Sequence, residues 1–292
     1  MNKAALIGKG EIGLAIGSLL EKNGIDHLFW DKDPERSTGV LSDVLSGADA
    51  VFFCVPSWAL REALSSTKDH LKGDEILVLI SKGLESGTGL NAPEMASEIF
   101  PDAKIVFLGG PMIAEEVVSG KGGAGVSSSR HSDAAEIVRK AISSEGFFVE
   151  ISEDVGGAAF SGVMKNIYAM VIGASAGVGY GVNVKGLVMR KALSEMGKVI
   201  ALLGGKEDTA YGLAGLGDLI ATSGGPLSSN WSAGFSLAKK EAPKKISEGM
   251  SSFTELHRRL GDISKFSVLM AAGDIIAGKD PKSSIDGIIN EK

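Results

Sequence analysis

The chain has 292 residues, which is long enough for two domains that each bury a sizeable core. Its 44% hydrophobic and 23% charged residues are typical of a folded globular protein, and its net charge of −6 leaves no broad basic field to hold nucleic acid or an anionic membrane surface. The single cysteine, Cys54, excludes an internal disulfide and favours a reducing cytoplasm. Its apolar surroundings predict a core residue and not a nucleophile.

Short apolar runs separated by helical patterns characterise the first half of the chain. The runs predict strands at 3–7, 27–31, 49–55, 75–81, 104–108, 124–128 and 147–151. The third of these is apolar on both faces, as in a parallel sheet covered by helices on both sides. Strands that alternate with helices as far as residue 152 predict a Rossmann-type, doubly wound parallel α/β sheet.

The second half of the chain has only helical patterns. Apolar residues recur at helical spacing over 153–180, 185–204, 228–240, 250–260 and 264–277. The longest uncharged run, 167–184, contains several glycines, which predicts a buried helix and a glycine-rich bend, shaped by Asn183 and Lys185, and not a membrane span. We therefore predict a dinucleotide-binding domain over 1–152 and an all-α substrate and catalytic domain over 153–292.

A Gly-x-Gly-x-x-Gly sequence stands between the first predicted strand and the first predicted helix. Gly8 permits a tight turn, Gly10 lets the backbone approach a pyrophosphate, and Gly13 lets the helix pack on the strand. The amides at the start of the helix would bind the phosphates. The alternative is an ordinary turn between a strand and a helix.

Asp31 ends the second predicted strand, near the position of the acid that binds the adenosine ribose in dinucleotide sites. A carboxylate there accepts hydrogen bonds from the ribose hydroxyls and repels a 2′-phosphate. We therefore expect NAD in preference to NADP, although Lys32 and Arg36 nearby would weaken the preference. The alternative for Asp31 is a solvated turn residue.

Two charged residues, Lys165 and Asp218, lie within otherwise apolar, glycine-rich helical sequence. A desolvated lysine needs a carboxylate, and such a pair prepares a lysine for proton transfer. Lys82 follows the fourth predicted strand, at the sheet edge where such folds bind ligands. Together with the glycine turn, these residues indicate a hydride-transfer enzyme; the alternatives are a surface lysine on a helix at 165 and an exposed turn lysine at 82.

Over nearly its whole length the chain resembles the NAD(P)-dependent glycerol-3-phosphate dehydrogenases of the short bacterial type. The matching motifs are the glycine turn, Val-Pro-Ser at 55–57, Ser-Lys-Gly-Leu-Glu at 81–85, Gly-Pro-Met-Ile-Ala-Glu-Glu-Val at 110–117, Lys-Asn at 165–166, Gly-Val-Asn-Val-Lys at 181–185, Glu-Met at 195–196, the glycine-rich 212–218 and Pro-Leu-Ser-Ser-Asn at 226–230.

The resemblance implies reversible hydride transfer between NADH and dihydroxyacetone phosphate, for glycerophospholipid synthesis, by a cytoplasmic homodimer with no metal. It implies that Lys165 exchanges the proton at C2, with Lys82 and Asp218 beside the substrate. The implied substrate site comprises Lys82, Gly110, Asn166, Asp218, Thr222, Ser228, Ser229 and Asn230. The implied cofactor site comprises Gly8, Gly10, Glu11, Ile12, Gly13, Asp31, Pro56, Lys82 and Glu248, of which Glu248 is equally explained as the start of a helix.

The chain departs from the family pattern mainly where the substrate phosphate is bound. Ser229 replaces the arginine of the family's Ser-Arg-Asn, Met112 replaces a small hydroxyl residue, Glu11-Ile12 replaces Ser-Trp, and Ala158 replaces a common glutamate. Serine does not replace the bidentate fork of arginine. Two alternatives therefore stay open: a dehydrogenase of the same fold for another 2- or 3-hydroxy compound, and a non-catalytic nucleotide-binding homologue. Retention of Lys82, Lys165 and Asp218 argues against the second.

Overall fold

The computed structural model describes residues 1–291. Internal contacts divide the chain into two compact units: Met1–Lys82 with Leu90–Ala159, and Gly83–Gly89 with the chain from Phe160 onward. The last strand ends at Ser152, where the sequence places the domain boundary, whereas the division falls within the helix that follows. That residues 1–152 and 153–292 are separate functional domains stays a prediction.

The first unit is built on a seven-stranded sheet with the order β2-β1-β3-β4-β5-β6-β7. The strands are β1 Lys3–Ile7, β2 Asp26–Trp30, β3 Ala50–Phe53, β4 Ile76–Leu79, β5 Lys104–Gly109, β6 Gly123–Ser128 and β7 Phe147–Ser152. Every residue of β3 and β4 is buried, as predicted for strands covered on both faces. The strand order reverses between β1 and β3, which confirms the Rossmann-type topology.

One strand pair departs from the predicted parallel arrangement, because β6 runs antiparallel to β5. The connection holds a helix of only five residues, which is about 8 Å long. The six residues of β6 extend for about 20 Å. So short a helix does not carry the chain back to the opposite edge of the sheet, and β6 instead returns alongside β5.

Six helices flank this sheet and leave the ends of β1, β2 and β3 together at its carboxyl edge. The helices are α1 Glu11–Lys22, α2 Leu41–Leu45, α3 Ser57–Thr67, α4 Ala92–Ile99, α5 Ala114–Val118 and α6 Ser132–Ile142. Ile7, the last residue of β1, pairs with Trp30 of β2 and with Phe53 of β3. Residues that follow these three strands are therefore neighbours in space.

The second unit is helical, as predicted. Its helices are α7 Val155–Gly177, α8 Val182–Leu202, α9 Asp218–Thr222, α10 Ser229–Ala238, α11 Glu248–Leu260, α12 Ser267–Ile276 and α13 Pro281–Asn290, with a 3-10 turn at Glu207–Tyr211 and a π-helical turn at Leu213–Gly217. The helical patterns in the sequence missed α9, the two turns before it, and α13. Asp280 caps α13 and Pro281 is its first residue, a signal of a helix start that was available in the sequence.

The long helix α7 forms the centre of the second unit. It is long and apolar enough to cross a membrane, but 89% of its apolar stretch is buried inside the protein, which is typical of a core helix. A Cβ atom on Gly173 would lie 2.0 Å from the Trp231 carbonyl oxygen, and one on Gly234 would lie 1.8 Å from that of Met170. These glycines therefore let α7 and α10 pack with their backbones in contact.

Candidate active site

The glycine turn has the geometry of a dinucleotide-binding loop. Gly8 has a φ of +100°, and a Cβ atom on it would lie 2.7 Å from the Cys54 carbonyl oxygen. A Cβ atom on Gly13 would lie 2.1 Å from the carbonyl oxygen of Gly8. A side chain on Gly8 would push β1 away from β3, and a side chain on Gly13 would push α1 away from β1. These two glycines therefore have the predicted structural roles.

Gly10 and the start of α1 fit the pyrophosphate of a dinucleotide. Gly10 precedes the first residue of α1, and no described side chain caps the helix there. Within residues 1–291, and apart from Gly10 itself and its neighbours along the chain, no atom lies within 4 Å of the place where a Cβ on Gly10 would stand. The first amides of α1 can therefore bind a phosphate that approaches the backbone closely. Glu11 is exposed and Ile12 is half-buried in this turn.

Asp31 is half-buried directly after β2. Its Oδ2 accepts a hydrogen bond of 2.7 Å from the amide of Lys9, within the glycine turn, and its Oδ1 accepts one of 3.0 Å from the amide of Asp33. These bonds orient the carboxylate. Because each oxygen has a second lone pair, ribose hydroxyls can still donate to it.

Lys82 and Gly110 come together at the carboxyl edge of the sheet. They follow β4 and β5, which are neighbouring parallel strands, and Lys82 Nζ donates a hydrogen bond of 2.9 Å to the carbonyl oxygen of Gly110. Gly110 has a φ of +98°, which explains the glycine at this turn. Lys82 is half-buried and lies at the carboxyl edge of the sheet, as its place after β4 predicted, and its contact with a ligand stays a prediction.

Lys165, Asp218 and Thr222 form one buried polar cluster in the second unit. Lys165 Nζ lies 3.1 Å from Asp218 Oδ1 and donates a hydrogen bond of 2.7 Å to Thr222 Oγ1. The Thr222 hydroxyl in turn donates to Asp218 Oδ1 over 3.2 Å. Asp218 and Thr222 are the first and last residues of α9, so they share one face of that helix and meet the same ammonium.

Asn166, next to Lys165, belongs to a second buried cluster with Asn230. Asn230 Nδ2 donates to Asn166 Oδ1 over 2.8 Å, and the amide of Gly249 donates to Asn230 Oδ1 over 2.8 Å. A Cβ on Gly249 would lie 2.5 Å from the Asn166 carbonyl oxygen, so α11 begins in contact with α7. Glu248, half-buried, is the first residue of α11 and stands beside this contact.

The serines at the start of α10 differ in position. Ser228 caps α10, because its hydroxyl accepts a hydrogen bond from the Trp231 amide over 3.2 Å. Ser229 is the first residue of α10 and is exposed. Pro56 is likewise exposed and precedes α3.

Lys185 was assigned from the sequence to the bend between α7 and α8, but its side chain contacts α9. Lys185 Nζ donates a hydrogen bond of 2.9 Å to the carbonyl oxygen of Ser223, the residue that directly follows α9. An ammonium at a helix C-terminus stabilises the unpaired carbonyls there. Lys185 therefore fixes the end of α9 that carries Thr222. Asn183, predicted in the bend, is an exposed residue in the first turn of α8.

Two further observations bear on the chemistry of the site. Cys54 is buried beside the glycine turn, and burial raises the pKa of its thiol, as expected of a core residue. Among residues 1–291, no group of three or more histidine, cysteine or acidic side chains is placed to hold a metal ion.

The first unit has a sheet whose strand order reverses beside a glycine turn of the dinucleotide-binding type. The helical unit has a buried lysine paired with a carboxylate. Together these features are typical of an NAD(P)-dependent oxidoreductase. Comparison with known families gives the same result. The model of the NAD-dependent glycerol-3-phosphate dehydrogenase N-terminus matches residues 36–135, and the model of the C-terminus matches residues 154–283.

Individual relatives support this match. The glycerol-3-phosphate dehydrogenase (NAD(P)+) of Clostridium perfringens strain SM101 is 33% identical over 273 residues, which cover 85% of this chain and 82% of that protein. The enzyme of the same name from Ectopseudomonas mendocina strain ymp is 33% identical over 298 residues, covering 91% and 87%. The chain belongs to the NAD(P)-dependent glycerol-3-phosphate dehydrogenase family.

A solved structure supports the fold. The crystal structure of glycerol-3-phosphate dehydrogenase from Coxiella burnetii superposes with a TM-score of 0.91 over 99% of each chain, at 23% identity. The glycine turn and Asp31 precede the residues matched by the N-terminal family model.

Proposed function

We propose that this protein is an sn-glycerol-3-phosphate dehydrogenase that reduces dihydroxyacetone phosphate with NADH and catalyses the reverse oxidation. The observation that carries the proposal is the buried contact of Lys165 with Asp218 and Thr222. Glycerol 3-phosphate is the compound for which the family is named, and dihydroxyacetone phosphate is the ketone that its oxidation at C2 gives. When bound, NADH would supply the hydride to the ketone carbon. The residues of this chain bind and orient the substrate and transfer the proton.

Lys165 is the proton donor in the direction of reduction. As the ketone oxygen gains negative charge, the ammonium stabilises it and transfers one proton from Nζ to that oxygen. In the oxidation the neutral amine takes the proton back. Asp218 stays ionised and keeps the ammonium in place by its contact of 3.1 Å, while Thr222 fixes the direction of one N–H bond.

Lys82 polarises the same carbonyl group. Its ammonium has three N–H donors, one of which binds the Gly110 carbonyl oxygen in the structure. Asn166 and Asn230, which are joined by a hydrogen bond of 2.8 Å, orient the substrate.

The cofactor in this proposal is NAD in preference to NADP. The amides at the start of α1 bind the pyrophosphate, and Asp31 accepts hydrogen bonds from the adenosine ribose. Lys82, Pro56 and Glu248 complete the cofactor contacts in this proposal.

A second candidate substrate deserves testing because of Ser229. The family's arginine is replaced there by an exposed serine, while Asn230 is engaged by Asn166 and Gly249. A ketone without a phosphate would not need the missing arginine, and it could be reduced by the same cofactor with Lys165 as the proton donor. Activity on such a ketone is the alternative to dihydroxyacetone phosphate.

We place the protein in the cytoplasm, as a homodimer that supplies glycerol 3-phosphate for phospholipid synthesis. The single buried cysteine is consistent with a reducing compartment. Light scattering after size-exclusion chromatography measures the mass of the assembly, and a monomer would contradict the dimer.

The decisive experiment follows NADH oxidation with dihydroxyacetone phosphate and, in parallel, with dihydroxyacetone and hydroxyacetone. We expect the highest kcat/KM for the phosphorylated ketone. A higher value for either neutral ketone would replace the first substrate by the second candidate. No oxidation of NADH with any of them, although NADH binds, would favour a non-catalytic homologue.

A further inference from the structure

Trp58 is the most exposed large aromatic side chain of the described residues. It is the second residue of α3, and 81% of its surface is accessible. An indole ring has a large apolar surface, and leaving it in water is unfavourable. Trp58 lies at the carboxyl edge of the sheet, where folds of this type bind ligands, so its exposed ring is suited to stack on a flat group of a bound ligand.

The start of α3 lies beside the glycine turn. A Cβ on Gly8 would lie 2.7 Å from the Cys54 carbonyl oxygen and 3.0 Å from Val55 Cγ1, just before α3 begins. The turn itself supplies no aromatic residue, since its two variable positions at the start of α1 are Glu11 and Ile12. The connection from β3 to α3 therefore brings an aromatic ring, that of Trp58, close to the glycine turn.

A second contact shows which side of the turn Trp58 faces. Glu62 is four residues after Trp58 in α3, so the two side chains share a face of the helix. Glu62 Oε1 lies 3.3 Å from Lys32 Nζ, and Lys32 follows Asp31 directly. The face of α3 with Trp58 is thus turned toward the loop after β2, where the adenosine ribose binds in the proposed cofactor site.

We propose that the indole of Trp58 stacks on the adenine ring of the bound dinucleotide. This proposal rests on the assignment of Asp31 to the adenosine ribose. The ribose would hold the base at the end of β2, and the exposed indole would cover one face of the base. Stacking does not depend on the 2′-position, so Trp58 strengthens the binding of NAD and NADP alike, whereas Asp31 distinguishes between them.

The test is calorimetric titration of the full chain with ADP, with nicotinamide mononucleotide and with NADH. The variants are Trp58→Ala, Trp58→Phe and, as a matched control, Phe148→Ala, which removes a ring that is 63% exposed on β7 at the far edge of the sheet. We expect Trp58→Ala to raise the Kd of ADP and of NADH about tenfold or more. Trp58→Phe should raise these two Kd values by less. Phe148→Ala should leave them unchanged, and the Kd of nicotinamide mononucleotide should be the same in all variants.

Two calorimetric outcomes would overturn the proposal. An unchanged Kd for ADP in Trp58→Ala would do so, and so would a loss confined to NADH, which would place the ring at the nicotinamide. If the alanine variant does not fold, ADP should quench the tryptophan fluorescence of the parent but not that of Trp58→Phe, and equal quenching would reject stacking. ADP binding needs no ketone, so these results stand whatever the substrate is.

Discussion

The ammonium of Lys165 lies 3.1 Å from the carboxylate of Asp218, and the two side chains are only 10% and 4% exposed. Thr222 bridges them with hydrogen bonds to both. Removing one member of such a pair leaves an uncompensated charge inside the protein, whereas removing both does not. This relationship allows the catalytic role of the lysine to be separated from its structural role.

Lys165→Met should lower kcat for the reduction by about a hundredfold or more, because it removes the proposed proton donor. The Kd of NADH should stay the same, since the lysine acts on the ketone and not on the dinucleotide. Stopped-flow NADH oxidation and fluorescence titration measure the two quantities. Lys198→Met, at an exposed lysine of α8, is the control. Turnover close to that of the control would reject Lys165 as the proton donor.

Asp218→Asn should lower the free energy of unfolding by about 3–5 kcal/mol, because it leaves Lys165 buried without a counter-charge. The double variant Lys165→Met with Asp218→Leu should recover most of that stability and remain inactive. Urea denaturation of the parent and the variants provides the comparison. Equal stability of Asp218→Asn and the parent would mean that the ammonium is neutralised in another way.

Asp31→Asn should narrow the difference between the Kd values of NADPH and NADH by about tenfold or more, since the substitution removes a charged acceptor of the ribose hydroxyls. Asp33→Asn, two residues further on and exposed, should leave the ratio unchanged. Fluorescence titration with both cofactors gives the ratio. If the parent already binds NADPH as tightly as NADH, Asp31 is not the residue that selects the cofactor.

Ser229→Arg should lower KM for dihydroxyacetone phosphate by about tenfold or more if the guanidinium reaches the phosphate. In the parent, binding of dihydroxyacetone phosphate should weaken as salt rises, because a lone lysine such as Lys82 acts on the phosphate as a partly screened point charge. Ser229→Met is the matched control, with a long side chain and no charge. A parent that binds tightly and an arginine variant that binds worse would show that other residues hold the phosphate.

Glu195 makes the stability of the protein depend on pH. Its carboxylate accepts hydrogen bonds from the amides of Val268 and Leu269 at the start of α12, and burial raises its pKa to about 7 from an ordinary 4.5. Between these two values the folded chain binds a proton that the unfolded chain has released, so this contribution to stability is full below 4.5 and is lost as pH rises through 7.

Glu195→Gln removes this titration. Relative to the variant, the parent should lose about 3 kcal/mol of unfolding free energy as pH rises through that window. The unfolding free energies of the two proteins should also differ by an amount that does not depend on pH, because glutamine has one acceptor oxygen for the two amide donors. Urea denaturation across the pH range tests the slope. Parallel stability curves for the two proteins would mean that Glu195 titrates normally.

The sequence by itself determined the sheet and most helices, because strands buried on both faces and helices with one buried face leave distinct apolar periods. It also located the glycine turn, since a left-handed φ at Gly8 and the close approach at Gly13 exclude other residues. Lys165 and Asp218 were recognisable for a related reason, because charged residues inside apolar helical sequence need each other.

Only the tertiary structure decided how these pieces are used. The direction of β6 depends on the short connection after β5, and no pattern within β6 records it. The contact of Lys185 with Ser223 and the hydrogen bonds of Asn230 join residues far apart in the chain. Local periodicity reports whether a residue is buried, but which polar groups meet is settled by helix packing, and here that packing depends on glycines such as Gly173 and Gly249.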